Sequence, residues 1–145
     1  MSSTQFRRVT EGFFVAPQLQ AADFPAARAA GIRTIINNRP EGEAVDQLTD
    51  AEARALALAN GLDYVFLPVV TGGMRPDVIA AFVAAVAEHP GPHLPYCRSG
   101  TRSCHMWAFA TAAERPVGQT VQLAAAAGYD LMPAMPMLER LAGGR

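Results

Sequence analysis

Cys97, Arg98, Ser99, Gly100, Thr101, Arg102 and Ser103 are consecutive, and their side-chain types suit one kind of chemistry. A thiol beside two guanidinium groups is a nucleophile in an electropositive setting, and the thiolate is the form that attacks. A short apolar run, His93 to Tyr96, delivers Cys97 to a polar turn. From about Arg102 an apolar stretch follows, with Cys104, Met106, Trp107, Ala108 and Phe109. That order predicts a strand, a tight loop and a helix N-terminus. The backbone N–H groups of residues 98–102 can face inward there as an anion-binding nest, and the helix adds its unpaired donors and positive end. Cys97 and Arg102 are therefore the candidate catalytic pair, with Arg98, Ser99, Gly100, Thr101 and Ser103 as substrate-binding candidates. The bland alternative is a core cysteine beside an ordinary glycine turn, and two arginines and two serines around one thiol speak against it.

Other polar residues qualify by position. Asn38 and Arg39 follow the apolar run that ends at Ile36 and join the substrate-binding candidates; Arg39 has a competing reading as a surface ion pair with Glu41 or Glu43. Gln18 also follows an apolar piece and can face the same edge. Cys104 could resolve an oxidised Cys97, although such a cysteine is more often a small core residue. His105 lies near the loop, while His89 and His93 read as structural. No Cys/His spacing suggests a metal, and no cofactor is called for. Met132, Met135 and Met137 read as packing or a rim.

The elements that must position these groups follow from pattern. Phe6–Val9 and Phe13–Ala16 flank Thr10-Glu11-Gly12 as a hairpin. An Ala-rich helix over residues 21–30 stops at Gly31. Ile32–Ile36 is a β-branched strand before Asn37-Asn38-Arg39-Pro40. Thr49 and Glu52 make a capping box for a helix ending at Asn60-Gly61. Tyr64–Leu67 is a strand, residues 69–74 a Gly-Gly loop, and Pro76 opens a helix to His89. Two further helices, over residues 119–127 and 133–141, follow the loop helix. Alternating strands and helices imply an α/β three-layer sandwich, a mostly parallel central sheet flanked by helices. Ligands in such sheets sit beyond the carboxyl ends of strands, where Asn37-Asn38-Arg39, residues 69–74 and Cys97 converge.

The 145 residues carry 50% hydrophobic and 17% charged side chains and a net charge of −1. That fits one domain over residues 1–145 with one substantial core, and offers no electrostatic case for nucleic acid or an anionic membrane. Two cysteines make no disulfide framework. The start, Met1-Ser2-Ser3-Thr4-Gln5, lacks the apolar core of a signal peptide, so a cytoplasmic location is expected.

Cys-x-x-Gly-x-Arg after a strand-final Tyr resembles the active loop of rhodanese-type sulfurtransferases. It also resembles a shortened protein tyrosine phosphatase loop, which has one residue more between Cys and Arg. Phe13-Phe14-Val15-Ala16, Gly31–Asn37 and the Cys97 loop are similar, in order and spacing, to the dual-specificity phosphatase fold. Ile36-Asn37-Asn38-Arg39-Pro40 and Tyr96–Ser103 look like one bacterial family labelled both phosphatase-like and sulfurtransferase, the beta-lactamase hydrolase-like type, over roughly residues 6–115.

The resemblance implies first a sulfurtransferase. Cys97 would take the outer sulfur of thiosulfate or glutathione persulfide, hold it as a persulfide on the loop amides, and pass it to a thiol. A persulfide dioxygenase is the implied partner. The alternative is a phosphatase of tyrosine or dual-specificity type. That chemistry needs a general acid, and residues 69–75 contain none; Asp77 is assigned to the helix, and Glu41 or Glu43 would have to substitute. A third reading is a non-catalytic anion-binding or thiol-sensing module.

Overall fold

The computed structural model describes residues 6–143. The expectations placed on Met1 to Gln5 fall outside them. The sheet has five strands in the order β1-β2-β5-β3-β4: β1 (Arg7–Thr10), β2 (Phe13–Val15), β3 (Thr34–Asn37), β4 (Asp63–Phe66) and β5 (His93–Tyr96). Only β1 runs antiparallel to its neighbour. β3, paired with β5 on one side and β4 on the other, is buried along its whole length. Alternation sends Ile35 into one core and Ile36 into the other. The first core holds α1 (Asp23–Ala29) and α2 (Asp50–Ala59) through Phe24, Ala27, Ala53 and Ala57. The second holds α3 (Pro76–Glu88), α4 (Thr101–Ala110), α5 (Val117–Ala126) and α6 (Met135–Gly143), gathered around Trp107, Phe82 and Leu138. The expected three-layer, mostly parallel α/β sandwich is what forms.

Register positions the site. Thr34 lies opposite both Asp63 and His93, and Asn37 opposite both Phe66 and Tyr96. The three parallel strands therefore end level, and Asn38, Leu67 and Cys97 leave the sheet side by side. Backbone bonds stitch these exits together: Asn38 N–H to the Tyr96 carbonyl at 2.9 Å, and Val69 N–H to the Asn38 carbonyl at 2.8 Å.

Helix ends follow local chemistry. Thr49 and Glu52 form the reciprocal capping box at α2. Pro76 sits in the first turn of α3, where its missing N–H costs nothing. Boundaries shift in three places, and the helix expected over residues 119–127 is α5, Val117–Ala126. The Ile32–Ile36 strand begins only at Thr34, because Ile32 N–H closes back on Ala27 to finish α1. The stretch over residues 133–141 divides into a 3-10 turn, Met132–Ala134, and α6. Pro133 and Pro136 lack N–H donors, and this division puts each in a first turn, where none is needed.

Candidate active site

Cys97 leaves the end of β5 with no exposed surface. Its sulfur accepts the Gly100 N–H at 3.2 Å. Gly100 is the N-cap of α4 at φ +95°, a left-handed conformation that favours glycine. A Cβ at this position would run into the hydroxyl and ring of Tyr129. Tyr129 in turn donates its hydroxyl to the Ser99 carbonyl at 3.2 Å. Burial pushes that phenol up to about 12, so it stays a donor. The loop is thus buckled from outside by one tyrosine.

The nest is narrower than expected. Thr101 N–H donates to Ser99 Oγ at 3.3 Å, and Ser99 Oγ–H donates to Thr101 Oγ1 at 2.9 Å, so both residues hold the loop's own shape. Gly100 remains the N–H aimed at sulfur.

Arg102 lies on the first turn of α4, and its guanidinium is already engaged. Nη1 donates to Glu43 Oε2 and to the Val69 carbonyl, both at 2.8 Å, and Nη2 donates to Glu43 Oε1 at 2.9 Å. Glu43 holds Arg102 charged, with Cys97 assisting. Behind them Arg39, 4% exposed, donates from Nε to Glu43 Oε1 at 3.0 Å and from Nη1 to Gln18 Oε1 at 2.9 Å. A chain Gln18–Arg39–Glu43–Arg102 therefore crosses from the β2 end to the thiol loop.

Asn38, Arg39 and Ser103, expected among the substrate-binding groups, spend their polar atoms on the protein. Ser103 Oγ–H donates to Asn38 Oδ1 at 2.9 Å, and Asn38 Nδ2 donates to the Leu67 carbonyl at 2.9 Å. Both residues are fully buried. They join the ends of β3 and β4 to α4, which fixes where Arg102 starts. The ion-pair reading of Arg39 holds, with Glu43 as partner, but the arginine is buried instead of lying on the surface.

The carboxylates are equally committed. Arg102, with Arg39 adding, pulls Glu43 down to about 2 against the effect of burial. A group that acidic is ionised at neutral pH and is no proton donor. Glu41 accepts the Asp50 N–H at the start of α2. Asp77 pairs with Arg75, both about 70% exposed. Cys104 is fully buried, and burial pushes its thiol up to about 12, leaving it protonated and inert. His93 faces the His89 carbonyl, and His89 faces Asp63, both structural. Among the described residues no three His, Cys, Asp or Glu cluster to hold a metal, and no helix is long and apolar enough to cross a membrane.

Beside the thiol loop opens a cleft of about 740 Å³, lined by Arg98, Ser99, Thr101, Arg102, His105 and Phe109 of the loop and α4, and by Met74, Met137 and Arg140. Sequence reasoning missed Tyr129, Arg140 and the true role of Glu43. Only Gly128-Tyr129, an aromatic just after a helix stop, offered a signal for the first.

Glu43 carries a prediction. Its folded value lies below the ordinary 4.5. Its contribution to stability is therefore complete above that pH and is lost as pH falls toward 2. With 29% of its side chain exposed, solvent limits the contribution to about 1 kcal/mol. Glu43→Gln should lower stability at pH 7 by that amount and leave the variants equal near pH 2, as read by denaturant midpoints across pH. A constant difference over the whole range would contradict the ion-pair assignment.

A family described as "Beta-lactamase hydrolase-like protein, phosphatase-like domain" matches residues 5–114. A beta-lactamase hydrolase-like protein of Agrobacterium fabrum is 33% identical over 92% of this chain but only 31% of its own length; a Xylella fastidiosa protein of the same description gives 32%, 92% and 32%. The chain thus spans about a third of these relatives. A solved structure from Neisseria meningitidis, described as a candidate phosphatase, is 32% identical, covers 96% of this chain and 97% of that one, and has a TM-score of 0.81. A kinase associated phosphatase whose catalytic cysteine is replaced by serine shares the fold, with 14% identity, 100% and 96% coverage and a TM-score of 0.72. The family description and the two solved structures name phosphatases, and the sulfurtransferase half of the expected resemblance finds no support among them. With a tyrosine/dual-specificity phosphatase-like fold and a cysteine loop at its strand ends, this chain belongs to the phosphatase-like domain family of beta-lactamase hydrolase-like proteins.

Proposed function

We propose that the chain is a cysteine-dependent phosphatase for monoesters with acidic leaving groups. The observation that carries this reading is the alignment, on one strand–loop–helix turn, of the Cys97 sulfur, the Gly100 N–H and the Arg102 fork. The family and its phosphatase-named relatives support it. The Cys97 thiolate attacks phosphorus and the ester P–O bond breaks. The departing aryloxide takes its proton from water, and a second water then cleaves the S–P bond to release inorganic phosphate. The loop N–H and the Arg102 guanidinium neutralise the charge on the transferring oxygens. To bind them, Arg102 must exchange the Glu43 carboxylate for substrate oxygens. Since no protonated carboxyl lines the cleft, the leaving group must depart unaided, which favours aryl over alkyl esters.

Sulfur transfer stays as the second reading for a specific reason: only four residues separate Cys97 from Arg102, and sulfite leaving from thiosulfate needs no acid. There the thiolate attacks the outer sulfur, the S–S bond breaks and sulfite departs. A persulfide dioxygenase belongs to this reading as a partner.

One experiment separates the two. Phosphate release from p-nitrophenyl phosphate, phenyl phosphate and an alkyl phosphate is followed alongside the intact mass of the protein after thiosulfate. Turnover falling steeply as the leaving group becomes more basic is the expected result. No turnover of any ester, with a single sulfur added to Cys97, would overturn the phosphatase reading in favour of sulfur transfer.

A further inference from the structure

The cleft beside the Cys97 loop is larger than one phosphate requires, and its charge is unbalanced. Volumes of this order accommodate whole organic ligands. All 12 cations of the chain are arginines, and three of them, Arg98, Arg102 and Arg140, line this one cleft with a single carboxylate, Glu43. Glu43 is committed to Arg102 and Arg39. Among the described residues neither Arg98 nor Arg140 has a carboxylate within ion-pair distance. A molecule of net charge −1 thus carries a surplus of two positive charges in one concavity. His105 adds no charge, because burial pushes its imidazole down.

The arginines share the cleft with apolar side chains. Phe109 is buried, and Met74 and Met137 pack partly buried against the same core. Arg140 lies beside Met137, its Nη2 3.7 Å from Met137 Sδ. Arg102 sits on the first turn of α4 and Arg140 near the end of α6, so the cationic groups stand on different helices and line one cleft together with the apolar side chains.

Building on the phosphatase reading, we infer that the preferred substrate is a small phosphomonoester that carries a second anionic group: its phosphate lies at Cys97 and Arg102, and its apolar or aromatic body crosses Phe109, Met74 and Met137 to the second anion, held by Arg140. A carboxylate and a second phosphate are the two forms that this group can take, since either forks onto a guanidinium.

The test measures binding, not turnover, so that it stands apart from the phosphatase reading. Phenyl phosphate, carboxyphenyl phosphate and phenylene bisphosphate are titrated calorimetrically into Cys97→Ser protein, with and without Arg140→Ala. The second anion should tighten binding at least about tenfold, an advantage that weakens with salt. Arg140→Ala should remove most of that advantage and leave phenyl phosphate unchanged. The stronger of the two substituted esters identifies the second group. Equal affinity for all three esters, failure of all three to bind, or an advantage that survives Arg140→Ala would overturn the inference. If binding behaves as expected while the wild type hydrolyses none of the esters, the phosphatase reading fails and the second anion site stands.

Discussion

Cys97→Ser should abolish turnover of an aryl phosphate, by roughly 10⁴-fold or more, as removal of a catalytic nucleophile does elsewhere. The loss arises because a serine hydroxyl in the same place has no base to take its proton: Glu43 is paired with Arg102 and Arg39, and Asp77 is off in solvent with Arg75. Cys104→Ser should keep most of the activity. The two thiols lie on the same loop and helix, yet burial holds Cys104 protonated, while the Gly100 N–H is aimed at Cys97. Its serine variant should lose some stability through a buried hydroxyl without a partner, by about 1–3 kcal/mol, and little in rate. Steady-state kinetics of both variants at matched folded fraction checks this. An equal loss in both would mean that the cysteines act as a pair, and would remove the single-nucleophile assignment.

The loop could be read from the sequence because its parts are contiguous. Strand, cysteine, glycine and helix start occupy eleven consecutive positions, His93 to Ser103, and each has a local signature. The sheet could also be read, since the β-branched run at β3 and the capping box at α2 are local as well. What surrounds the thiol could not be read, because those contacts join distant parts of the chain. Glu43 reaches Arg102 across 59 positions, and Tyr129 reaches Ser99 across 30. Glu43 was considered as an acid for want of another carboxylate near the loop. The level strand ends instead bring it against two arginines, which deprotonate it. The sequence points Asn38 and Ser103 toward substrate, Asn38 because it follows a strand end and Ser103 because it follows the Cys97 loop. In the fold they face each other, and a buried hydroxyl and amide that can bond one another will do so, since an unpaired one costs about 1–3 kcal/mol.

Gly100→Ala should be the most damaging change that leaves every reacting group in place. Two penalties add at this site. The left-handed φ of +95° costs a residue with a Cβ about 1 kcal/mol. The new methyl also overlaps the Tyr129 hydroxyl and ring edge, which are rigid and mostly buried and so cannot swing aside cheaply. Overpacking of this kind adds about 1–3 kcal/mol. Either the loop opens, taking the Gly100 N–H from sulfur, or Tyr129 leaves its bond to Ser99. In both cases the donor moves relative to Cys97, and a displacement of that order costs about 10²-fold in rate. Gly100→Ala should therefore lose both stability and at least that much activity. Tyr129→Ala, which clears the space, separates the two penalties: in the double variant the overlap is gone and only the backbone cost remains. The combined stability loss should fall short of the sum of the single losses, a coupling that a thermodynamic cycle measures directly. Strictly additive losses would show that Tyr129 does not brace the loop. A Gly100→Ala protein with native stability and rate would mean that neither the left-handed turn nor the N–H to sulfur matters, and with them would go the reading of this loop as a preorganised cradle.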